Sequence, residues 1–176
     1  MANAREIQSR MKSIKDTMKI TNAMYMISSS KLSKARTDLK NTEPYFFTMQ
    51  DALAKILMES PDAGNRFFDQ RPDLAPEDRK KGYIVVTADK GMAGAYNQNL
   101  LKFLREHADQ NDRFYVIGQV GYRALFRKDP RLVEDFHYGA TAPTLQRARD
   151  ITVDAIDDFK SGKLDEIYIV YTKIQN

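Results

Sequence analysis

The chain has 176 residues, no cysteine, 42% hydrophobic residues and a formal net charge of +4. That length holds one domain plus an extended element, the missing cysteines exclude disulfides and thiolate metal sites, and no apolar run is long enough to span a membrane. The charge is uneven: residues 1–40 carry nine Lys/Arg against three Asp/Glu, a balance of +6 that leaves −2 for the remainder. Acidic surfaces are therefore the natural partners of the N-terminal third. The opening Met1-Ala2-Asn3-Ala4-Arg5-Glu6 is polar and lacks the apolar centre of a secretory signal.

From Ile7 the apolar positions recur in alternating steps of three and four: Ile7, Met11, Ile14, Met18, Thr21, Tyr25, Ser28, Leu32, Ala35, Leu39, Thr42, Phe46, Met49, Leu53 and Ile56. This is the spacing of a coiled-coil seam, and it predicts one long helix over residues 1–58. Thr21, Ser28 and Thr42 interrupt the seam. Its phase runs through Pro44, so we expect a single helix bent there, although an interior proline costs about 3 kcal/mol. Asn3 and Glu6 have the spacing of an N-cap and the residue that reaches back to it. Between Met18 and Ile27, the residues Ile20, Ala23, Met24, Met26 and Ile27 add apolar surface off the seam, as expected of a segment enclosed on several sides. Ordinary helix packing explains these methionines better than a soft binding surface does. No second heptad run follows residue 58, so the partner of the seam lies outside this sequence.

Residues 59–81 read as a connector, broken by Pro61, Gly64, Pro72 and Pro76, with Phe67 and Phe68 tacking it onto the globular part. Residues 82–176 follow an α/β grammar. Tyr83–Thr87 and Phe114–Ile117 read as buried strands, and Glu166–Tyr171 as the last buried strand. Leu132–Tyr138 is more polar and suits an edge strand. Helices are expected at Asn97–His107, Gly121–Phe126 and Thr144–Lys160, the last with Leu145, Ala148, Ile151, Ala155 and Phe159 inward. The fold class is thus α/β: a long coiled-coil-type helix plus a small Rossmann-like domain with a largely parallel sheet and right-handed crossovers.

The loop Thr87–Asn97 joins the first strand to its helix and contains Asp89, Lys90, Gly91, Gly94 and Asn97. Glycines there can let backbone N–H groups cradle a phosphate. They fit neither the dinucleotide pattern nor a phosphate loop with Lys-Ser/Thr, so tight turns are the plainer reason for them. Gly118 and Gly121 repeat the theme after the second strand. His107 and His137 have no metal-ligand spacing. Asp154, Asp157 and Asp158 read as a solvated helix face, and no Ser-His-Asp arrangement stands out. We expect no catalytic residue, cofactor or metal. A basic rod can also be a nucleic-acid arm, but its lysines alternate with apolar residues and stacking aromatics are absent before Tyr25.

Three stretches of the rod carry a resemblance: Ala4–Arg10, Ile20–Ile27 and Ser30–Ala35. They closely resemble the N-terminal helix of the gamma subunit of bacterial F-type ATP synthase. The loop Thr87–Asn97 looks like that family's signature after its first strand, and Ile167–Lys173 resembles a later strand. Ala93 stands where many members have Cys, and Ala95 where many have Gly. The resemblance runs through essentially the whole chain. Family members continue well past the position of Asn176 into a long C-terminal helix that winds antiparallel on the first, so the chain reads as the N-terminal portion of such a subunit.

The resemblance implies a non-catalytic central-stalk rotor subunit. It would transmit torque between a proton-driven membrane ring and the catalytic hexamer, and regulate ATPase activity and proton flow. Implied partners are the alpha and beta subunits, the epsilon subunit, the membrane c-ring and the chain's own C-terminal helix, with no nucleic acid and no direct membrane insertion. The implied place is the cytoplasmic face of the bacterial membrane, as a peripheral protein. Candidate contacts on the shaft are Arg10, Lys12, Lys19, Ile20, Met24, Ile27 and Lys31. Two other classes stay open. A nucleotide-binding α/β protein would use Asp89, Lys90, Gly91 and Gly94 and would show a tight nucleotide site. A basic coiled-coil nucleic-acid binder would show a steep salt dependence of affinity.

Overall fold

A computed structural model describes residues 3–60, 67 and 71–173. The chain divides into two compact units, residues 1–63 and 64–176.

The first unit is one helix, α1 (Ala4–Glu59), 56 residues long with no buried residue. At about 1.5 Å per residue it extends roughly 80 Å. It runs through Pro44 without interruption. The expected cap is in place by position only. Asn3 is the N-cap residue, but its side chain makes no capping bond. Its carbonyl accepts the N–H groups of Glu6 (2.8 Å) and Ile7 (3.2 Å). The Glu6 side chain does not reach back; it accepts from Arg10 Nη2 at 2.6 Å, because a guanidinium one turn later is a stronger donor. Thr21 and Thr42, which break the seam, donate their hydroxyls to the carbonyls of Thr17 and Asp38. Their polarity is spent on their own helix.

The second unit is built on a parallel three-stranded sheet of β1 (Lys81–Val86), β2 (Arg113–Ile117) and β3 (Glu166–Val170) in the order β2-β1-β3. Tyr83 pairs with Phe114 on one side and Tyr168 on the other. Helices α2 (Tyr96–His107), α3 (Gln119–Leu125) and α4 (Leu145–Lys160) complete it. Alternation along the strands makes two cores. Tyr83, Val85, Phe114 and Val116 pack with Leu100, Leu104 and Tyr122. Ile84, Tyr115 and Ile117 pack with Phe136, Ala155, Phe159 and Leu164. α2 and α3 thus cover one face and α4 the other, as β-α-β crossovers require.

Several expectations are corrected. Leu132–Tyr138 is not a strand: it makes isolated bridges at Leu132 with Phe114 and at Tyr138 with Ile117, separated by a turn in which the Phe136 N–H donates to Val133 O. Among the described residues β3 pairs only with β1 and is not buried as expected; Tyr168 and Ile169 are exposed, Ile169 at 63%. The inward face of α4 comes down to Ile151, Ala155 and Phe159, because Leu145 and Ala148 are exposed. Asp158 is not on a solvated face. It accepts from the buried Tyr115 hydroxyl at 2.6 Å and from Lys163 Nζ at 2.9 Å. Of the two connector phenylalanines, Phe67 lies under Lys160 Nζ, 5.5 Å from the ring centroid, whereas Phe68 lies outside the described residues. Arg71 and Arg79 pair with Asp165 (3.3 Å) and Glu166 (2.7 Å), fixing the lead-in to β1 against the start of β3.

Candidate partner interface and the loop after the first strand

Two places have the chemistry to serve a partner, one in each unit. On α1 the contact candidates sort by spacing. Ile20, Met24, Ile27 and Lys31 follow steps of four, three and four, so they form one stripe about a third of a turn from the seam. Lys12 and Lys19, seven apart, form another. All are exposed; Met24 is 45% and Ile27 57% accessible. An apolar stripe beside an apolar seam leaves this part of α1 little polar circumference, and none of the described residues of its own unit buries it. Arg10 and Lys19 are engaged locally, with Glu6 at 2.6 Å and Asp16 at 3.4 Å. Lys12 and Lys31 have no ion pair among the described residues. A concave patch of about 310 Å³ lies further along the same helix, lined by Ser29, Leu32, Ser33, Arg36, Thr37 and Lys40. Its lining combines small polar side chains with Leu32 and two cations, Arg36 and Lys40.

The loop after β1 is pinned at its base and bare at its tip. Thr87, 1% exposed, donates its hydroxyl to Ile117 O at 2.8 Å and accepts the Gly121 N–H at 3.1 Å. Buried Asn97 accepts the Ala88 N–H through Oδ1 at 2.9 Å, and the Tyr96 hydroxyl donates to Val86 O at 2.7 Å. Asp89 turns inward. Its Oδ1 accepts the N–H of Ala140 at 2.9 Å and of Gln119 at 3.4 Å. Its Oδ2 accepts the Thr141 N–H at 2.8 Å and the Thr141 hydroxyl. Burial pushes this carboxyl up, but the Thr141 hydroxyl and the three N–H groups together outweigh it and hold it below the ordinary carboxylate range.

Lys90, Gly91, Met92, Ala93 and Gly94 are exposed, Met92 at 90%. Positive φ falls on Met92 (+61°) and Gly94 (+55°). Gly91 is outside that region, and a Cβ built on it meets nothing within 4 Å. The turn therefore depends on Gly94 but not on Gly91.

The structure brings Asp89 together with residues 119, 140 and 141, and Asn97 with Ala88; it leaves Lys90 and Gly91 in solvent. Thr141 was not legible as Asp89's partner because 52 residues separate the two. His107 stacks on Phe103 and His137 meets the edge of Tyr122. Among the described residues no group of three or more His, Cys, Asp or Glu is placed to hold a metal, and no helix is long and apolar enough to cross a membrane.

Comparison with known proteins gives the chain its family. A family model described as "ATP synthase" matches residues 3–176. The ATP synthase gamma chain of Ruminiclostridium cellulolyticum is 43% identical over 176 residues, covering 98% of this chain and 59% of that one. That of Acetivibrio thermocellus is 39% identical over 174 residues, covering 98% and 58%. The "ATP synthase gamma chain, sodium ion specific" of Acetobacterium woodii is 37% identical over 174 residues, covering 97% and 56%. The chain thus spans less than two thirds of the length of these curated relatives. With a family model matched from residue 3 to residue 176 and gamma chains throughout these relatives, the chain belongs to the ATP synthase gamma-chain family.

Proposed function

We propose that this chain is part of the central-stalk rotor of an F-type ATP synthase. It carries torque between the ion-driven membrane ring and the catalytic alpha and beta subunits, and through that coupling it regulates ATPase activity and ion flow. It contributes no catalytic residue. The unburied seam of α1 supports the reading: 56 helical residues without one buried side chain are a surface built to be covered by something else. The seam takes the C-terminal helix of the longer gamma chain. The stripe of Ile20, Met24, Ile27 and Lys31, with Arg10, Lys12 and Lys19, faces the surrounding alpha and beta subunits. The second unit lies toward the epsilon subunit and the c-ring, peripheral to the cytoplasmic face of the membrane. A basic, mostly unpaired helix surface suits a shaft that must not lock. Each exposed ion pair contributes about 0–1 kcal/mol, so several orientations are stabilised weakly and none strongly.

The test is a chimera in which this chain precedes the remaining residues of the Ruminiclostridium gamma chain, assembled with that organism's other subunits. We expect ATP hydrolysis coupled to ion pumping. Assembly with hydrolysis but without pumping counts against the reading.

A further inference from the structure

Asp89 takes hydrogen bonds from four donors and, among the described residues, ion-pairs with no cation. The donors come from two separate segments, the residue that opens α3 and the 140–141 loop. Ala140 and Thr141 offer successive backbone N–H groups to the two oxygens of one carboxylate. Successive N–H groups around one point are an anion-binding concavity, whatever anion fills it. The cradle also lies where an α/β sheet ordinarily takes a ligand, outside the carboxyl ends of the strands. Asp89 follows β1, and Gln119 follows β2. Residues 140 and 141 follow the bridge of Tyr138 with Ile117.

We propose that this is an oxyanion cradle whose resident ligand is the chain's own Asp89 carboxylate, and that it accepts a small free oxyanion once that side chain is removed. Formate reproduces the planar two-oxygen group and is the best fit; inorganic phosphate offers the same oxygens on a tetrahedral centre. In the intact chain the cradle is closed to ligands, and its energy goes into tying the loop after β1 to the loop before α4. This reading concerns the second unit only and does not depend on the rotor assignment.

The experiment uses the full chain as wild type, Asp89→Ala and Asp89→Asn. Each is unfolded in urea while formate, then phosphate, replaces chloride at constant ionic strength. For Asp89→Ala, each tenfold rise of formate above its dissociation constant shifts the folding equilibrium about tenfold. Wild type and Asp89→Asn show no such shift, because a carboxylate or an isosteric amide still fills the space. The amide resonances of Ala140 and Thr141 move with formate in Asp89→Ala alone. If Asp89→Ala is unfolded in chloride, the same titration reads regained far-UV circular dichroism. An Asp89→Ala response no greater than wild type, or no structure regained in formate, overturns the proposal.

Discussion

A Cβ built on Gly118 would lie 2.2 Å from the carbonyl oxygen of Thr87. Gly118 also holds φ at +95°, and the Cβ of a residue at Gly121 would lie 2.4 Å from Thr87 Cγ2. β1 and β2 thus leave the sheet through a contact that no side chain can enter. Gly118→Ala combines backbone strain with overpacking against backbone atoms, for an expected loss of about 2–6 kcal/mol. Gly91→Ala, in open space at an ordinary φ, should change stability by less than about 0.5 kcal/mol. Urea unfolding of both variants checks the contrast. Equal effects would mean that the strand exit needs its glycine no more than the tip does.

The Tyr115 hydroxyl meets Asp158 Oδ2 at 2.6 Å, beneath a tyrosine with no exposed surface. Burial pushes the Asp158 carboxyl up, but the bonds from Tyr115 and Lys163 and the nearby Arg113 together hold it below the ordinary range. A carboxyl lowered on folding contributes stability that is full above its unfolded value, about pH 4, and is lost as pH falls through the folded value. Tyr115→Phe should therefore cost about 1.5–3 kcal/mol at neutral pH, typical of a hydrogen bond to a charged group. The difference from wild type should shrink below about pH 4. A difference independent of pH would show that the hydroxyl does not stabilise the charged carboxylate.

Much of this fold is written locally. β1 and β2 are short runs apolar on both faces, and the steps of three and four in α1 give its length almost to the residue. What failed is non-local. Glu166–Tyr171 reads like a buried strand, yet among the described strands the order leaves it with one neighbour, and order is set by crossovers and not by composition. Leu132 and Phe136 are both buried, but the turn between them interrupts the pairing that a strand would continue. The loop of Asp89 was visible in the sequence, whereas its role was not, because its partners lie 30 to 52 residues away. Asp158 looked solvated for the same reason: the tyrosine that engages it is 43 residues distant.

The bare seam makes a prediction about dynamics. Long isolated helices are marginal in water, since tertiary packing supplies most of their stability. With no buried residue in α1, its amides should open locally far more often than those of β1 and β2. Hydrogen exchange on dilute chain should find residues 7–35 exchanging fast and residues 83–86 and 114–117 slowly. Raising the concentration, or adding the C-terminal gamma-chain helix as a peptide, should slow residues 7–35. Strong, concentration-independent protection of those residues in a proven monomer would sink the argument, because the seam would then be covered within this chain.

Met24 tests the stripe beside the seam. It is 45% exposed here, flanked by Ile20 and Ile27 at helical spacing. If the surrounding subunits enclose this face, Met24→Lys places an ammonium in an apolar collar. An unpaired buried charge costs several kcal/mol, so the loss falls on the assembled state. The second unit contains none of these residues, and its own unfolding should shift by less than about 0.5 kcal/mol. Met24→Leu conserves volume and should be tolerated at under about 1.5 kcal/mol. The measurement is ion pumping per ATP hydrolysed in the assembled chimera. Pumping should fall relative to hydrolysis for Met24→Lys and hold for Met24→Leu. Unchanged pumping per ATP in Met24→Lys would mean that this stripe meets no enclosing surface, and that the apolar residues off the seam need another explanation.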